Sequence, residues 1–389
     1  MDWTKARVAV TGATGFIGGR LVEHLVLDKG AQVRCLVRDF NRCAGLSRFP
    51  VELVRCGLGD TSGHEEALAG CTQVVHCGYA WHGSPQESQW VNVEGTVSLV
   101  RAAERVGCQR FVHVSTDAVH AFPSAPEIAE DHPLSRFPHS YIRTKVALER
   151  RLRTLITREH AKVCIVRPAI VFGPGFNTWT TDVASELSAR TLPVVEGGTG
   201  VCNSTYVDNL VLAFCLACER PEASGEAFFV TDGQPLSWEE YLTPFARALG
   251  VELGTLPQRT AAAARRVKPR EGQSLAAALA AVLAADSARE ELWKVLWLRK
   301  LWLAARPALR KGTDAPPAPD ETEAKAAPRV GGRYASPDAA MRLHVYANGT
   351  RYSVDKARRL LGYQPIVRWS EAVERTLAWL QFARIVPQE

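Results

Sequence analysis

Near its N-terminus the chain reads Val8-Ala9-Val10-Thr11-Gly12-Ala13-Thr14-Gly15-Phe16-Ile17-Gly18. Its first residues are apolar, as in a buried strand, and residues 20–26 continue with apolar positions at helical spacing. The glycines between them permit a tight turn whose backbone N–H groups can hold a phosphate at the start of the helix. Three glycines also occur in ordinary strand-to-helix turns, so this stretch alone leaves both interpretations open.

Strands and helices alternate after this turn. Apolar runs predict strands at residues 31–38, 51–54, 73–77, 110–115, 162–167 and 228–230. Helical spacing predicts helices at residues 90–106, 140–160, 238–249 and 370–383. This alternation is typical of an α/β fold in which a doubly wound parallel sheet carries helices on both faces, and a ligand then binds at the carboxyl ends of the strands.

The composition is that of an ordinary globular protein, with 46% hydrophobic and 23% charged residues. No apolar run is long enough to span a membrane, and no internal repeat is visible in the sequence. Asp2, Lys5 and Arg7 interrupt any signal-peptide pattern, which favours a cytoplasmic location. Cys215 and Cys218 form the one Cys-x-x-Cys pair, but they lie in an apolar helical run and are predicted to be packed thiols rather than metal ligands.

Most of the net charge of +6 lies in one segment, because residues 255–311 contain twelve Lys or Arg and four acids. The chain as a whole is therefore not predicted to bind nucleic acid. Within the segment, Trp293 and Trp297 recur at helical spacing beside basic residues, which predicts a basic amphipathic helix. Three roles stay open for it: packing on the substrate-binding region, covering an apolar substrate, or contacting an anionic membrane surface through residues 289–311.

Regularity fades after residue 167, which predicts a dinucleotide-binding domain followed by a smaller C-terminal substrate domain. The first comprises residues 1–167 and is rejoined by residues 203–232. The second comprises residues 168–202 and 233–389, with a basic Ala/Trp/Pro-rich insert at about 255–340.

A second motif, Tyr141-Ile142-Arg143-Thr144-Lys145, begins the helix predicted at residues 140–160. Tyr141 and Lys145 are four residues apart and share one helix face. Because an ammonium beside a phenol favours the phenolate, we expect Lys145 to lower the pKa of Tyr141 and prepare it for acid/base catalysis.

With both motifs in this order, the chain resembles the extended short-chain dehydrogenase/reductase family, whose members carry a TGxxGxxG turn and a YxxxK pair. The resemblance covers residues 8–249 and 352–380, and its pattern is nearest to the 3β-hydroxysteroid dehydrogenase and dihydroflavonol reductase-like branch. It implies a Rossmann-type fold and hydride transfer between nicotinamide and a ketone or secondary alcohol. A nucleotide-sugar epimerase with a retained cofactor and a non-catalytic NADP-binding module are the alternatives.

The resemblance also implies roles for individual residues. Tyr141 would be the acid/base, Lys145 would bind the nicotinamide ribose, and Thr116 would correspond to the catalytic hydroxyl, since the family uses the second residue of the pair Ser115-Thr116. Asn92 matches the asparagine of the family's NVxGT helix and joins them as a catalytic candidate. The implied cofactor contacts are Gly12, Thr14, Gly15, Phe16, Ile17, Gly18, Arg38, Leu58, Asp60, Cys77, Gly78, Tyr141, Lys145 and Pro168.

Arg38 decides the predicted cofactor, because an arginine at the end of the second strand suits a 2′-phosphate whereas a carboxylate there suits the 2′-OH of NAD. NADP is therefore favoured, and Asp39 keeps NAD open. The sequence Gly57-Leu58-Gly59-Asp60 departs from the family's Asp-Leu-x-Asp, which puts one adenine contact in doubt.

Ala118 separates this chain from the sugar 4,6-dehydratases, which carry Thr-Asp-Glu where this chain has Thr116-Asp117-Ala118. Dehydration is therefore not expected, and Asp117 is interpreted as a turn residue or a polar wall of the site. His120 and His139 are expected to have structural roles, with a proton relay as the alternative. The family often forms homodimers through two helices, which correspond here to residues 90–106 and 140–160.

Overall fold

The computed structural model describes residues 1–81, 84–267 and 339–387. Its strands are β1 (Arg7–Thr11), β2 (Gln32–Val37), β3 (Glu52–Arg55), β4 (Gln73–His76), β5 (Arg110–Val114), β6 (Glu127–Ile128), β7 (Val163–Pro168), β8 (Ile170–Phe172), β9 (Val194–Val195), β10 (Val201–Cys202), β11 (Ser204–Tyr206), β12 (Ala227–Val230), β13 (Leu236–Ser237), β14 (Gln258–Arg259) and β15 (Arg351–Tyr352). Its α-helices are α1 (Phe16–Leu27), α2 (His64–Leu68), α3 (Pro85–Arg105), α4 (Ser140–Glu159), α5 (Asp182–Ser188), α6 (Val207–Glu219), α7 (Trp238–Ala248), α8 (Ala261–Arg266), α9 (Ala339–Tyr346), α10 (Asp355–Leu361) and α11 (Trp369–Phe382).

Seven strands form one parallel sheet in the order β12-β7-β5-β4-β1-β2-β3. The chain proceeds from β1 outward to β3, then returns to the other side of β1 and continues outward from β4. The strand order therefore reverses between β1 and β4, and in open α/β sheets ligands bind outside the carboxyl ends of the strands at such a reversal. The predicted doubly wound α/β fold is confirmed.

Side chains of β1 point alternately to the two faces of the sheet, and both faces are covered. Val8 and Val10 pack with residues of α1 and α6 on one face. Ala9 packs with residues of α3 and α4 on the other. The inner strands β1, β4, β5 and β7 are buried on both faces and are therefore largely apolar rather than alternating, whereas the edge strand β3 has no fully buried residue.

The helix predicted at residues 90–106 begins earlier than expected, at Pro85. The Ser84 side chain accepts a hydrogen bond from the Glu87 N–H, and the Glu87 side chain accepts one from the Ser84 N–H. This capping box, with a proline in the first turn, starts a helix whose first residues lack an apolar pattern.

A separate apolar core lies beyond the sheet and is rich in aromatic side chains, among them Trp179, Trp238 and Tyr241. The division into two domains stays a prediction. The amphipathic helix predicted around residues 289–311 lies outside the described residues. Among the helices that the structure does describe, none is both long and apolar enough to cross a membrane.

Candidate active site

The glycine turn joins the end of β1 to α1. Gly12 has a φ of +67°, and a Cβ atom there would lie 2.8 Å from the backbone of Cys77. A Cβ atom on Gly18 would lie 2.2 Å from the Gly12 carbonyl oxygen. Neither position can hold a side chain. Glycine at both positions therefore allows α1, β1 and the segment after β4 to approach one another closely.

The N-terminus of α1 faces the edge of the sheet where the strands end. Gly15 precedes this helix and contributes no side-chain cap within the described structure, and Thr14 beside it is half-buried. Phe16 stacks on Phe176 with ring centroids 4.6 Å apart, and the Ile17 side chain packs against the core. A twelve-residue helix that begins in this way suits an anionic group such as a dinucleotide pyrophosphate.

Arg38 is exposed at the end of β2 and has no hydrogen bond or ion pair within the part of the chain that the structure describes. The carboxylate of the adjacent Asp39 accepts a hydrogen bond from the Asn41 N–H at 2.9 Å, which caps a short 3₁₀ turn. The guanidinium is therefore open to a ligand, whereas the carboxylate already has a partner.

The loop after β3 uses its carboxylate internally. Asp60 accepts a hydrogen bond from the Gly57 N–H at 2.6 Å, and the Leu58 side chain packs against the core beneath α3. This bond closes the loop on one oxygen of an exposed carboxylate, and the cofactor contact predicted for Asp60 stays a prediction.

A buried chain of hydrogen bonds links the glycine turn to α3. The Gly78 N–H donates to Thr11 Oγ1, which lies 2.6 Å from His76 Nδ1, and His76 Nε2 lies 3.0 Å from Thr96 Oγ1. Thr96 in turn donates to the Asn92 carbonyl oxygen, so it accepts from His76. Burial lowers the pKa of His76 to about 3, so the ring is neutral with its proton on Nε2 and works as a fixed connector.

Asn92 itself holds the loop that follows β4. Its Oδ1 accepts from the Ala80 N–H at 2.8 Å, and its Nδ2 donates to the Ala80 and Ser88 carbonyl oxygens at 2.9 and 2.7 Å. Both ends of the Asn92 amide position this loop, and the catalytic role predicted for Asn92 stays a prediction.

Thr116, Tyr141 and Lys145 come together at the carboxyl edge of the sheet, beyond the end of β5 and in the first turns of α4. The Thr116 hydroxyl lies close enough to Tyr141 to affect its pKa, and Lys145 Nζ donates to the Val114 carbonyl oxygen at 2.8 Å. Ser115 is turned away, because its hydroxyl donates to Glu149 Oε1 at 2.6 Å. Of the two adjacent hydroxyls, Thr116 is the one beside Tyr141.

The pKa of Tyr141 shifts in the direction opposite to the one expected. Burial, together with Tyr79 and Asp117, raises it, and the nearby Thr116 hydroxyl offsets only part of that change. Lys145 Nζ lies 6.0 Å from the Tyr141 ring centroid. Burial lowers the pKa of Lys145 itself to about 8, against an opposing effect of Glu149. Tyr141 is therefore a neutral phenol with a proton to donate.

Sequence reasoning missed the buried ion pair below this group. Arg167, at the end of β7, contacts Glu149 with Nε–Oε1 and Nη2–Oε2 distances of 2.9 and 2.6 Å, and both side chains are fully buried. Glu149 lies four residues after Lys145 on the same face of α4, a spacing that could have identified it. Pro168 follows Arg167 as the last residue of β7 and is buried.

Two aromatic side chains after β4 were also missed. The Trp81 ring stacks on Tyr141 at 5.4 Å with 12° between the planes, and Tyr79 contacts both rings. Cys77, at the start of this segment, is a neutral thiol whose pKa burial raises to about 12. The aromatic pair makes the wall of the site beside Tyr141 apolar and leaves 37% of Trp81 exposed.

The remaining candidates have structural positions. His120 is buried, and burial lowers its pKa to about 4 while its Nδ1 lies 3.2 Å from the Pro133 carbonyl oxygen. His139 occupies the position before α4. Cys215 and Cys218 are buried free thiols in the core beside α1, and no cluster of metal-ligating side chains occurs among the described residues.

Comparison with known proteins matches residues 8–230 to the family model for the NAD dependent epimerase/dehydratase family. A 4-hydroxy-2-methyl-3-oxo-4-farnesyl-3,4-dihydroquinoline-1-oxide ketoreductase of Stigmatella aurantiaca is 29% identical over 70% of this chain and 81% of its own length. A 3-beta-hydroxysteroid dehydrogenase of Mycolicibacterium neoaurum is 31% identical over 64% of this chain and 71% of its own. The dTDP-glucose 4,6-dehydratase DesIV of Streptomyces venezuelae, solved with NAD and TYD bound, shares the fold with a TM-score of 0.66 at 19% identity, covering 97% of this chain and 98% of that one.

Proposed function

Because the chain belongs to the NAD dependent epimerase/dehydratase family, we propose that it reduces apolar ketones with NADPH, or oxidises the corresponding secondary alcohols. It is an NAD(P)-dependent oxidoreductase, and enzymes of this family act on small molecules. The observation that carries the proposal is the grouping of Thr116, Tyr141 and Lys145 beside the glycine turn, with Ala118 where a dehydratase has a glutamate.

The residues around the turn fit a dinucleotide. Gly12 and Gly18 keep the turn free of side chains, the uncapped N-terminus of α1 suits the pyrophosphate, and Arg38 is open to a 2′-phosphate. Asp39 accepts one hydrogen bond in its capping turn, so the support for NADP over NAD comes from Arg38. When bound, the nicotinamide supplies or accepts the hydride.

The protein's part in the reaction is to hold the carbonyl and move one proton. In reduction, Tyr141 donates its phenol proton to the substrate oxygen, and the raised pKa of this half-buried phenol keeps that proton in place until the oxygen becomes basic. The Thr116 hydroxyl donates a hydrogen bond to the same oxygen, and Lys145 would bind the nicotinamide ribose.

The lining of the site supports an apolar substrate. Tyr141 packs with an apolar cluster that includes Phe122, Phe137 and Met341, and the rings of Tyr79 and Trp81 also contact it. A sugar needs hydrogen-bond partners for its hydroxyls, whereas this lining offers surface for hydrocarbon or aromatic groups.

The test is consumption of NADPH with a panel of ketones that ranges from aliphatic to fused-ring compounds. We expect turnover by the wild-type protein and a loss of about 10²–10⁴-fold in kcat for Tyr141→Phe, because the general acid is removed. Tyr363→Phe is the matched control, since it removes a buried tyrosine hydroxyl that donates to the Thr231 carbonyl oxygen instead. Epimerisation of a sugar nucleotide without net nicotinamide turnover would support the epimerase alternative instead.

A further inference from the structure

We propose that Asp117 controls the Thr116 hydroxyl: a neutral Asp117 leaves the hydroxyl hydrogen for the substrate oxygen, and an ionised Asp117 takes it. The inference rests on the proposed function and adds to it a dependence of reduction on pH. Asp117 would act through Thr116 and is therefore a positioning residue.

The hydrogen bonds of Thr116 carry this inference. Its Oγ1 donates to Asp117 Oδ1 at 3.1 Å and accepts from the Ala118 N–H at 3.2 Å. A hydroxyl has one hydrogen. While that hydrogen is given to a carboxylate, the hydroxyl has none for a substrate carbonyl, which can only accept. Thr116 can therefore assist reduction only when its hydroxyl hydrogen is not donated to the Asp117 carboxylate.

The groups around Asp117 determine the pKa of its carboxyl. The Tyr352 hydroxyl, on β15, is near enough to lower the pKa of the Asp117 carboxyl, and it accepts a hydrogen bond from Asn348 Nδ2 at 3.4 Å. Tyr141 on α4 and Cys202 on β10 are the other titratable groups that interact with it among the described residues. Burial outweighs the donors and raises the pKa of Asp117 to about 7.

The direction of the effect follows from this balance. Below pH 7 Asp117 is neutral and can donate its own hydrogen, which leaves the Thr116 hydrogen free. As pH rises through about 7 the carboxyl ionises and withdraws the Thr116 hydrogen. Reduction should therefore slow on the alkaline side, by about tenfold per pH unit for one ionisation in the limit where the ionised form is inactive.

The experiment measures kcat for ketone reduction at saturating NADPH between pH 5.5 and 9 in the wild type, Asp117→Asn and Tyr352→Phe. An asparagine cannot ionise, and it can present its carbonyl to Tyr352 and its NH₂ to Thr116. We expect Asp117→Asn to lose the alkaline decline and to exceed the wild type about tenfold or more at pH 8.5. Tyr352→Phe removes a donor to the carboxylate, so it should move the decline to higher pH.

Asp355→Asn, which changes an exposed carboxylate on α10, should keep the wild-type profile. NADPH binding, followed by cofactor fluorescence, should be unchanged across these variants and shows that each is folded.

An unchanged inflection in Asp117→Asn would overturn the inference and point to Lys145 instead. An equal loss at every pH would overturn it as well, because it would show a purely structural role. Absence of ketone turnover by the wild type at every pH would contradict the proposed function, and the inference with it.

Discussion

Arg38 and Asp39 are adjacent, and each is a candidate for selecting the cofactor. Their side chains differ in the partners that the folded chain gives them. The sequence places both at the end of β2, where either a cation or a carboxylate could select the cofactor. The structure leaves the Arg38 guanidinium open and gives Asp39 a backbone partner. This difference depends on a local turn. It leads to the prediction that Arg38 favours NADP over NAD.

Arg38→Glu should lower the preference for NADPH over NADH. A charge-assisted hydrogen bond to phosphate contributes about 1.5–3 kcal/mol, so kcat/KM for NADPH should fall by about 10- to 100-fold while that for NADH holds or rises. The measurement is the ratio of the two specificity constants. Arg42→Glu, an exposed charge reversal in the next turn, is the control. An unaltered ratio in Arg38→Glu would exclude Arg38 as the phosphate partner.

Asn92 and Glu149 have roles that single-residue reasoning could not assign. The motif around Asn92 indicated a functional helix, but only the folded loop shows that Ala80 takes both ends of the amide. The spacing of Lys145 and Glu149 along α4 was visible in the sequence. The spacing does not identify the ion-pair partner of Glu149, because Arg167 lies on β7, eighteen residues further along the chain.

At the scale of elements, the Glu149–Arg167 pair joins α4 to β7 beneath the site. Its two side chains are fully buried, and Ser115 and the Glu130 carbonyl oxygen complete their hydrogen bonds. A buried pair contributes little net stability, but removal of one member leaves an unpaired charge in a low-dielectric interior.

Glu149→Gln should lower the free energy of unfolding by about 3–5 kcal/mol, since Arg167 keeps its charge and loses its counterion. Urea denaturation at pH 7 measures the change. Replacement of both residues, as Glu149→Leu with Arg167→Met, should recover part of the loss because no isolated charge remains. Glu159→Gln, at an exposed pair with Arg101 between α3 and α4, should leave the unfolding midpoint unchanged. A similar small effect of Glu149→Gln would contradict the assignment.

At the scale of the whole molecule, the C-terminal segment is tied back to the sheet by buried asparagines. Asn209, on α6, accepts from the N–H groups of Ile366 and Val367, both at 2.9 Å. Its Nδ2 donates to Asp232 Oδ1 and to the Val367 carbonyl oxygen. Asn203 makes a similar link to Thr350 and Tyr352. These links carry the chain back to the sheet after the segment that the structure does not describe.

Asn209→Leu should destabilise the protein, because each buried backbone group left without a partner costs about 1–3 kcal/mol. Urea denaturation measures the total, and cleavage by a protease near residue 366 reports local release of the segment. Asn41→Leu changes an exposed asparagine and should alter stability by no more than about 0.5 kcal/mol. If Asn209→Leu also changed the free energy of unfolding by no more than about 0.5 kcal/mol, the C-terminal segment would not depend on Asn209.

The fold and the composition of the candidate site could be read largely from the sequence. Strands buried on both faces are continuously apolar, and glycines that close a turn have no substitute, so both leave local patterns along the chain. The pair Tyr141 and Lys145 is likewise a local pattern, because helical geometry alone places the two on one face.

The tertiary structure decided what those side chains do. Which of Ser115 and Thr116 faces Tyr141, which of Arg38 and Asp39 stays open, and which way the pKa of Tyr141 moves all depend on partners distant in sequence and on burial. A pKa reflects the loss of water around a group, and a hydrogen bond depends on which donors reach an acceptor. Both are set by packing between elements, which no short stretch of sequence contains.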